Sequence, residues 1–266
     1  MTTCSPSARF LPASLFALLV VLIANPRPVS AEIVNFDFST NPPLASSKQP
    51  DAWFPDRRAP AEFDSVQFFD EVVLQIGISA ADFDSNAFYN TQGRKYDITV
   101  ASGGSIEAQL YIPSEWKTSA RRSDLWATGS STDPNNATAY MIFGFTSLTG
   151  TPRLRVFDSD VGWIDLDYSI DYDNWVTLRM DFTGTAFVYS VNDTEVFTDA
   201  NINGTTQFHD VMLQAYNSGV SYNAHWKTLV VDTALVPEPS TAACLLAAGG
   251  IAALRRRHRV NDIRPA

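Results

Sequence analysis

Six aspartates crowd into sixteen residues, Asp158, Asp160, Asp165, Asp167, Asp171 and Asp173, with Trp163, Tyr168, Tyr172 and Trp175 interleaved among them. Carboxylate oxygens are the hard ligands that Ca²⁺ takes, and aromatic faces cover sugar rings, so this stretch is the candidate ligand or calcium loop. Its spacing does not match an EF-type loop, and alternation sets Ile164, Leu166 and Ile170 opposite the acids. The plainer expectation is therefore a solvated strand pair with its acids outward and its aromatics in the core. No other cofactor is expected. His209 and His225 stand without a Ser-Gly elbow or a cysteine nearby, so no activated nucleophile is legible, and both read as edge or surface histidines. Three Asn-x-Thr triplets, at Asn136, Asn192 and Asn203, fall in polar turns.

The most specific signal is at the end of the chain. Val236, Pro237, Glu238, Pro239 and Ser240 precede an apolar run from Thr241 to Leu254, and Arg255, Arg256, Arg257 and Arg259 follow it. Ala242 to Leu254 has no polar face, which belongs inside a large core or in lipid, and the arginines after it favour lipid with a cytoplasmic basic stop. In this order the three parts resemble the PEP-CTERM sorting tail of Gram-negative bacteria that make extracellular polysaccharide. The resemblance covers about the last thirty residues, and it implies processing by the membrane protease-transpeptidase exosortase. Residues 260–266 form a short terminal extension.

At the other end, Arg9, the apolar run Leu15 to Ala24 and the small-x-Ala site Val29-Ser30-Ala31 are the parts of a secretory signal peptide, cleaved by signal peptidase between Ala31 and Glu32. Residues 1–31 are thus set apart from the fold. Both cysteines, Cys4 and Cys244, lie outside residues 32–235, so that domain is expected to hold together by core burial alone. A chain of about two hundred residues is long enough for that. It carries 12 Lys or Arg against 27 Asp or Glu, a net of −15. Such a balance excludes nucleic acid and anionic lipid as partners and suits a salt-containing exterior.

The elements of residues 32–235 are strands. Ile33 to Phe38 alternates with period two; Thr40 to Pro60, rich in Pro, Ser and Ala, reads as a long surface loop. Val66 to Phe69 and Val72 to Ile78 give two more strands, with a turn-like stretch from Asp82 to Gly93. Ser102-Gly103-Gly104 between Asp97–Val100 and Ser105–Ile112 signals a hairpin, with Ile106, Ala108, Leu110 and Ile112 on its inner face. Ser123–Thr128, Ala139–Thr146 and Arg153–Phe157 continue the series. Trp175 to Asp199 reads as a three-stranded meander turning at Thr183-Gly184-Thr185 and Asn192-Asp193, and Phe208–Tyr216 and Ala224–Val231 complete the set. Strands at this spacing predict an all-β, two-sheet antiparallel sandwich.

Ser105-Ile106-Glu107-Ala108-Gln109-Leu110-Tyr111, Trp175-Val176-Thr177-Leu178-Arg179-Met180 and Val188 to Val196 resemble the concanavalin A-like jelly roll of laminin-G-type, lectin and glucanase domains. Asp193 stands where the family often has Gly. The resemblance implies a choice between binder and enzyme. Its glucanase branch carries Glu-x-Asp-x-x-Glu on one strand, because glycoside hydrolysis needs two carboxyls about 5–10 Å apart. The nearest run here is Glu62-Phe63-Asp64, with Gln67 where the last Glu belongs. The expectation is therefore a non-enzyme: an exported cell-surface or extracellular-matrix protein, held transiently in the inner membrane by its tail, whose sandwich binds extracellular polysaccharide or serves structurally. The alternative is a polysaccharide-acting hydrolase or lyase on the same jelly roll.

Overall fold

The computed structural model describes residues 31–131 and 135–234. The leader up to residue 30, the tail motif Val236 to Ser240, the arginine cluster, residues 260–266, Cys4 and Cys244 lie outside the described residues. Among the described residues no helix is long and apolar enough to cross a membrane; the run Ala242 to Leu254 is not among them.

Among the described residues, fifteen strands form two antiparallel sheets. The first sheet takes β1 (Ile33–Phe36), β3 (Glu62–Phe68), β4 (Glu71–Ile78), β6 (Ser105–Ile112), β11 (Asn174–Phe182), β12 (Phe187–Val191), β13 (Thr194–Asp199) and β15 (Tyr222–Asp232). Its order is β13-β12-β11-β6-β15-β4-β3, with β1 also paired to β15. The second takes β2 (Phe54–Pro55), β5 (Thr91–Ala101), β7 (Arg122–Ser130), β8 (Ala137–Thr146), β9 (Arg153–Asp158), β10 (Gly162–Asp165) and β14 (Gln207–Tyr216), in the order β10-β9-β8-β7-β14-β5-β2. The expected all-β sandwich is thus the fold.

The core lies between the sheets. Ile106, Ala108, Leu110 and Ile112 of β6 face it as their alternation requires, and Val176, Leu178, Met180 and Phe182 of β11 stand beside them. Opposite sit Leu125 and Ala127 of β7, Phe143 and Phe145 of β8, and Phe208, Val211 and Leu213 of β14. Each large side chain taken fully out of water adds roughly 1.5–3 kcal/mol. The meander turns where expected: Asn192 (φ 47°) and Asp193 (φ 64°) both take the left-handed conformation that a two-residue hairpin turn demands. The two ends of the domain meet, the Glu32 amide donating to Thr233 Oγ1 at 3.0 Å while the Thr233 amide donates back to the Glu32 carbonyl.

Three expectations need correction. The Ser102-Gly103-Gly104 turn is no hairpin, because β5 and β6 lie in different sheets and the chain crosses the sandwich there. A glycine pair between alternating runs marks a sharp turn without saying which strand will accept the next hydrogen bonds. The 40–60 segment is anchored, since Trp53 is fully buried against Phe36, Phe63 and Tyr96, and Phe54–Pro55 adds an edge strand beside β5. Lastly, the two histidines sit on interior strands. His209 is on β14, between β7 and β5, and His225 is on β15, between β6 and β4.

Candidate functional site

The outward face of the second sheet carries side chains in cross-strand rows. One row runs from Arg155 on β9 through Gly144 on β8 and Asp124 on β7 to Gln214 on β14 and Gly93 on β5. The two glycines are required by close approach. A Cβ on Gly144 would strike the Ser123 carbonyl and Asp124 Oδ1, and one on Gly93 would strike the Leu213 carbonyl and the Gln214 side chain. Their absence of side chains lets polar groups lie flat across the sheet.

The neighbouring row is apolar: Trp163, Phe157, Ile142, Trp126 and Met212, closed by Lys95. The third holds Tyr140 and Thr128. Where β14 meets β7 the register slips between Phe208/Gly129 and Val211/Ala127, so His209 and Asp210 face the single residue Thr128. In this bulge Asp210 Oδ1 accepts the Thr128 amide at 3.0 Å.

The second and third rows floor a groove of about 650 Å³, whose lining includes Asp56, Arg57, Lys95, Trp126, His209 and Asp210. A second hollow of about 230 Å³ adjoins it, sharing Arg57, Trp126 and Tyr140 and adding Arg122, Phe157 and Trp163. Trp163 is 38% exposed, edge-on to Phe157, with the Arg155 guanidinium 3.6 Å from its ring centre. An apolar aromatic strip between polar rows is the surface that a sugar chain needs, ring faces on the strip and hydroxyls on the flanks.

Asp210 is 2% exposed, and burial pushes its carboxyl up to about 6, against the opposing pull of Lys95 and the Thr128 hydrogen bond; Asp56 adds a smaller upward push. His209 Nε2 lies 3.4 Å from Asp210 Oδ2. Burial, then Lys95 and Lys48, hold that imidazole below its usual range, against a smaller upward push from Asp97. Asp56 is bridged by Lys95 at 3.5 Å, Arg57 at 3.5 Å and Gln214 Nε2 at 3.3 Å. Asp124 pairs with Arg122 at 2.5 Å, and Arg155, nine-tenths buried, is pulled down to about 10 by that burial.

The six acids of the candidate ligand loop do not converge. Asp158 Oδ1 accepts the amides of Asp160 and Val161, Asp160 faces Asn201, and Asp165 pairs with Arg153. Asp171 accepts from Asn174, and Asp173 accepts the Ser114 amide at the far end of the domain. Asp167 is exposed. Among the described residues no three His, Cys, Asp or Glu side chains group as a metal site. The aromatics of this stretch divide: Tyr168 and Tyr172 pack on the core, but Trp163 joins the groove and Trp175 packs with Phe68 and Tyr111 outside the first sheet. Glu62 of β3 accepts from Gln75 on that first sheet, away from the groove.

Sequence reasoning missed Asp56, Asp210, Arg57, Lys95 and Trp126. The signal for Asp210 was Asp210 itself, a lone acid inside the otherwise strand-like run Phe208 to Tyr216.

No family model matches the chain, and no curated protein does. Solved structures share its fold at low identity. An endo-β-galactosidase from Clostridium perfringens that releases GlcNAcα1-4Gal matches at 11% identity and a TM-score of 0.52, over 78% of this chain and 64% of that one. A structure described under endo-acting O-glycanases expressed by members of the human gut microbiota matches at 10% and 0.51, over 76% and 98%. A glycoside hydrolase family 16 endo-glucanase from Bacteroides ovatus matches at 11% and 0.47, over 74% and 99%. The expectation of a non-enzyme is corrected on the two matches with TM-scores above 0.5, in which this fold is carried by glycoside-cleaving enzymes. It rested on a carboxylate trio along one strand, whereas the groove draws its carboxyls from a loop, Asp56, and from a bulge in a different strand, Asp210.

Proposed function

We propose that the groove on the second sheet binds and cleaves a polysaccharide, with Asp210 as the proton donor to the glycosidic oxygen and Asp56 as the second carboxyl. The observation that carries this reading is Asp210: a nearly fully buried carboxyl in the wall of an aromatic-floored groove, fixed by the Thr128 amide. A carboxyl kept protonated near pH 6 is a general acid at mildly acidic pH, and its alignment by a backbone N–H leaves Oδ2 to carry the proton. Asp56, tied to Lys95, Arg57 and Gln214, lines the same groove and supplies the partner that glycoside hydrolysis requires. The fold shared with glycoside-cleaving enzymes supports the reading at the level of architecture.

The test is turnover by the purified protein across a panel of polysaccharides, scored by reducing ends. Asp210→Asn keeps an acceptor for the Thr128 amide but holds no proton to give, so kcat is expected to fall by about 10²–10⁴ while the glycan is still bound. Unchanged turnover in Asp210→Asn, or no cleavage of any glycan by the parent, overturns the proposal.

We also propose that the chain is exported through residues 1–31 and sorted through its tail by exosortase. The support is in the sequence: the small-x-Ala site before Glu32, and the order Pro237-Glu238-Pro239, apolar run, arginine cluster.

A further inference from the structure

Charge is distributed unevenly over the domain. Between Glu32 and Leu235 acids outnumber bases, 27 to 12, yet five of those twelve bases, Lys48, Arg57, Lys95, Arg122 and Arg155, stand in the groove, its adjoining hollow or the polar row beneath. Their pairing is incomplete. Asp56 is shared between Arg57 and Lys95, each at 3.5 Å. Asp124 pairs with Arg122 and is also the stronger of the two countercharges acting on Arg155, the weaker being Asp165, which pairs with the neighbouring Arg153. Two carboxylates, joined by Asp210 when it ionises above about pH 6, thus face four cations along one wall. Arg155 is nine-tenths buried, and its Nε has no hydrogen-bond partner among the described residues. Lys48 and Asp97 pair at 2.8 Å and add nothing to the balance.

An excess of cations is costly to hold in partly desolvated surroundings, and an anionic ligand relieves it. The arginines are stacked as well as charged: the Arg57 guanidinium lies 4.6 Å from the Phe88 ring and 4.9 Å from Trp126, and Arg122 lies 4.7 Å from Trp163. These contacts hold each cation beside the aromatic strip, where a substituent on a bound sugar ring would pass. We infer that the groove selects an acidic glycan, a polysaccharide bearing carboxylate or sulfate groups on its rings, over a neutral one. This rests on the groove's being a polysaccharide site and names the substrate class.

The experiment titrates the full-length protein with two matched pairs, polygalacturonate against its methyl ester and dextran sulfate against dextran, at 50 mM and 500 mM NaCl. At least tenfold tighter binding of one charged member over its neutral partner is expected, shrinking to under threefold at the higher salt; whichever pair shows it tells carboxylate from sulfate. In Arg57→Gln/Lys95→Gln the preference is expected to drop at least fivefold, with the parent's strand-type circular dichroism retained. If that variant does not fold, the salt response of the parent decides the matter. Equal binding of charged and neutral partners overturns the inference and leaves the polysaccharide reading standing. Binding of none of the four, together with no cleavage of any panel glycan, overturns both.

Discussion

Asp210 Oδ1 takes the Thr128 amide at 3.0 Å, the side chain of one strand standing in where the bulge removes a backbone acceptor. That bond fixes a buried acid in the groove, and its burial has a thermodynamic consequence. The folded state holds the Asp210 proton to about pH 6, the unfolded chain only to about 3.8. Between those values the folded state binds more protons, so stability is lost as pH rises and the loss is complete above pH 6. About two units at about 1.4 kcal/mol each makes roughly 3 kcal/mol. Asp210→Asn should therefore match the parent at pH 3.5 and exceed it by that order at pH 7, in urea unfolding at both pH values. A parent with no excess slope between pH 4 and 6 relative to the variant would count against the assignment.

Gly144 is needed where β8 passes the Asp124 side chain. Gly144→Ala puts a methyl against Asp124 Oδ1 and against the Ser123 carbonyl and Asp124 Cα, backbone that cannot step aside without parting β7 from β8. The expected cost is roughly 1–3 kcal/mol of stability, with a fall in turnover as the polar row shifts. Chemical unfolding and glycan cleavage on one preparation would check it; an unchanged midpoint contradicts it.

Trp163 offers the groove its most exposed indole, at 38%. Replacing it with alanine removes a stacking platform but little of the core, so stability should hold while glycan affinity falls by about 2- to 13-fold, as about 0.5–1.5 kcal/mol implies. Isothermal titration reports the affinity and thermal unfolding the fold. Loss of both together would mean that Trp163 is structural.

His225 stacks on Phe68, centroids 4.0 Å apart, and burial drops its imidazole to about 4. A lowered histidine is neutral in the folded state while the unfolded chain takes up protons below about 6.5, so stability falls as pH drops from 6.5 towards 4. Proton NMR should show a ring titrating near 4. In His225→Gln the acid-side loss of stability over that interval should shrink.

For the tail, Glu238→Ala leaves the apolar run and arginines intact, so the protein is expected to stay membrane-bound and unprocessed in a host carrying exosortase. Replacing Leu245, Leu246 and Ile251 with Asp opposes insertion by roughly 2.5–3.5 kcal/mol per residue and should release the chain. Fractionation followed by intact mass distinguishes the two. Processing of Glu238→Ala like the parent would reduce the tail to an anchor.

Period-two alternation from Ile106 to Ile112 and from Val176 to Phe182, with Asn192-Asp193 between later strands, was enough to determine the all-β class, the inner faces and the meander. Those features depend on residues close in sequence, where pleat and turn chemistry act directly. Sheet membership did not follow: nothing local to Ser102-Gly103-Gly104 says that β6 will pair with β11 and β15 instead of β5. The site was equally out of reach. Asp56 and Asp210 are separated by most of the domain and meet only because β2 docks on β5 while β14 lies between β5 and β7. Among the six aspartates that looked like a site, adjacency in sequence misled, since alternation and turns sent five of them to different partners and left Asp167 exposed. A strand pattern tells which face a side chain takes; only the folding of one strand against another decides what shares that face.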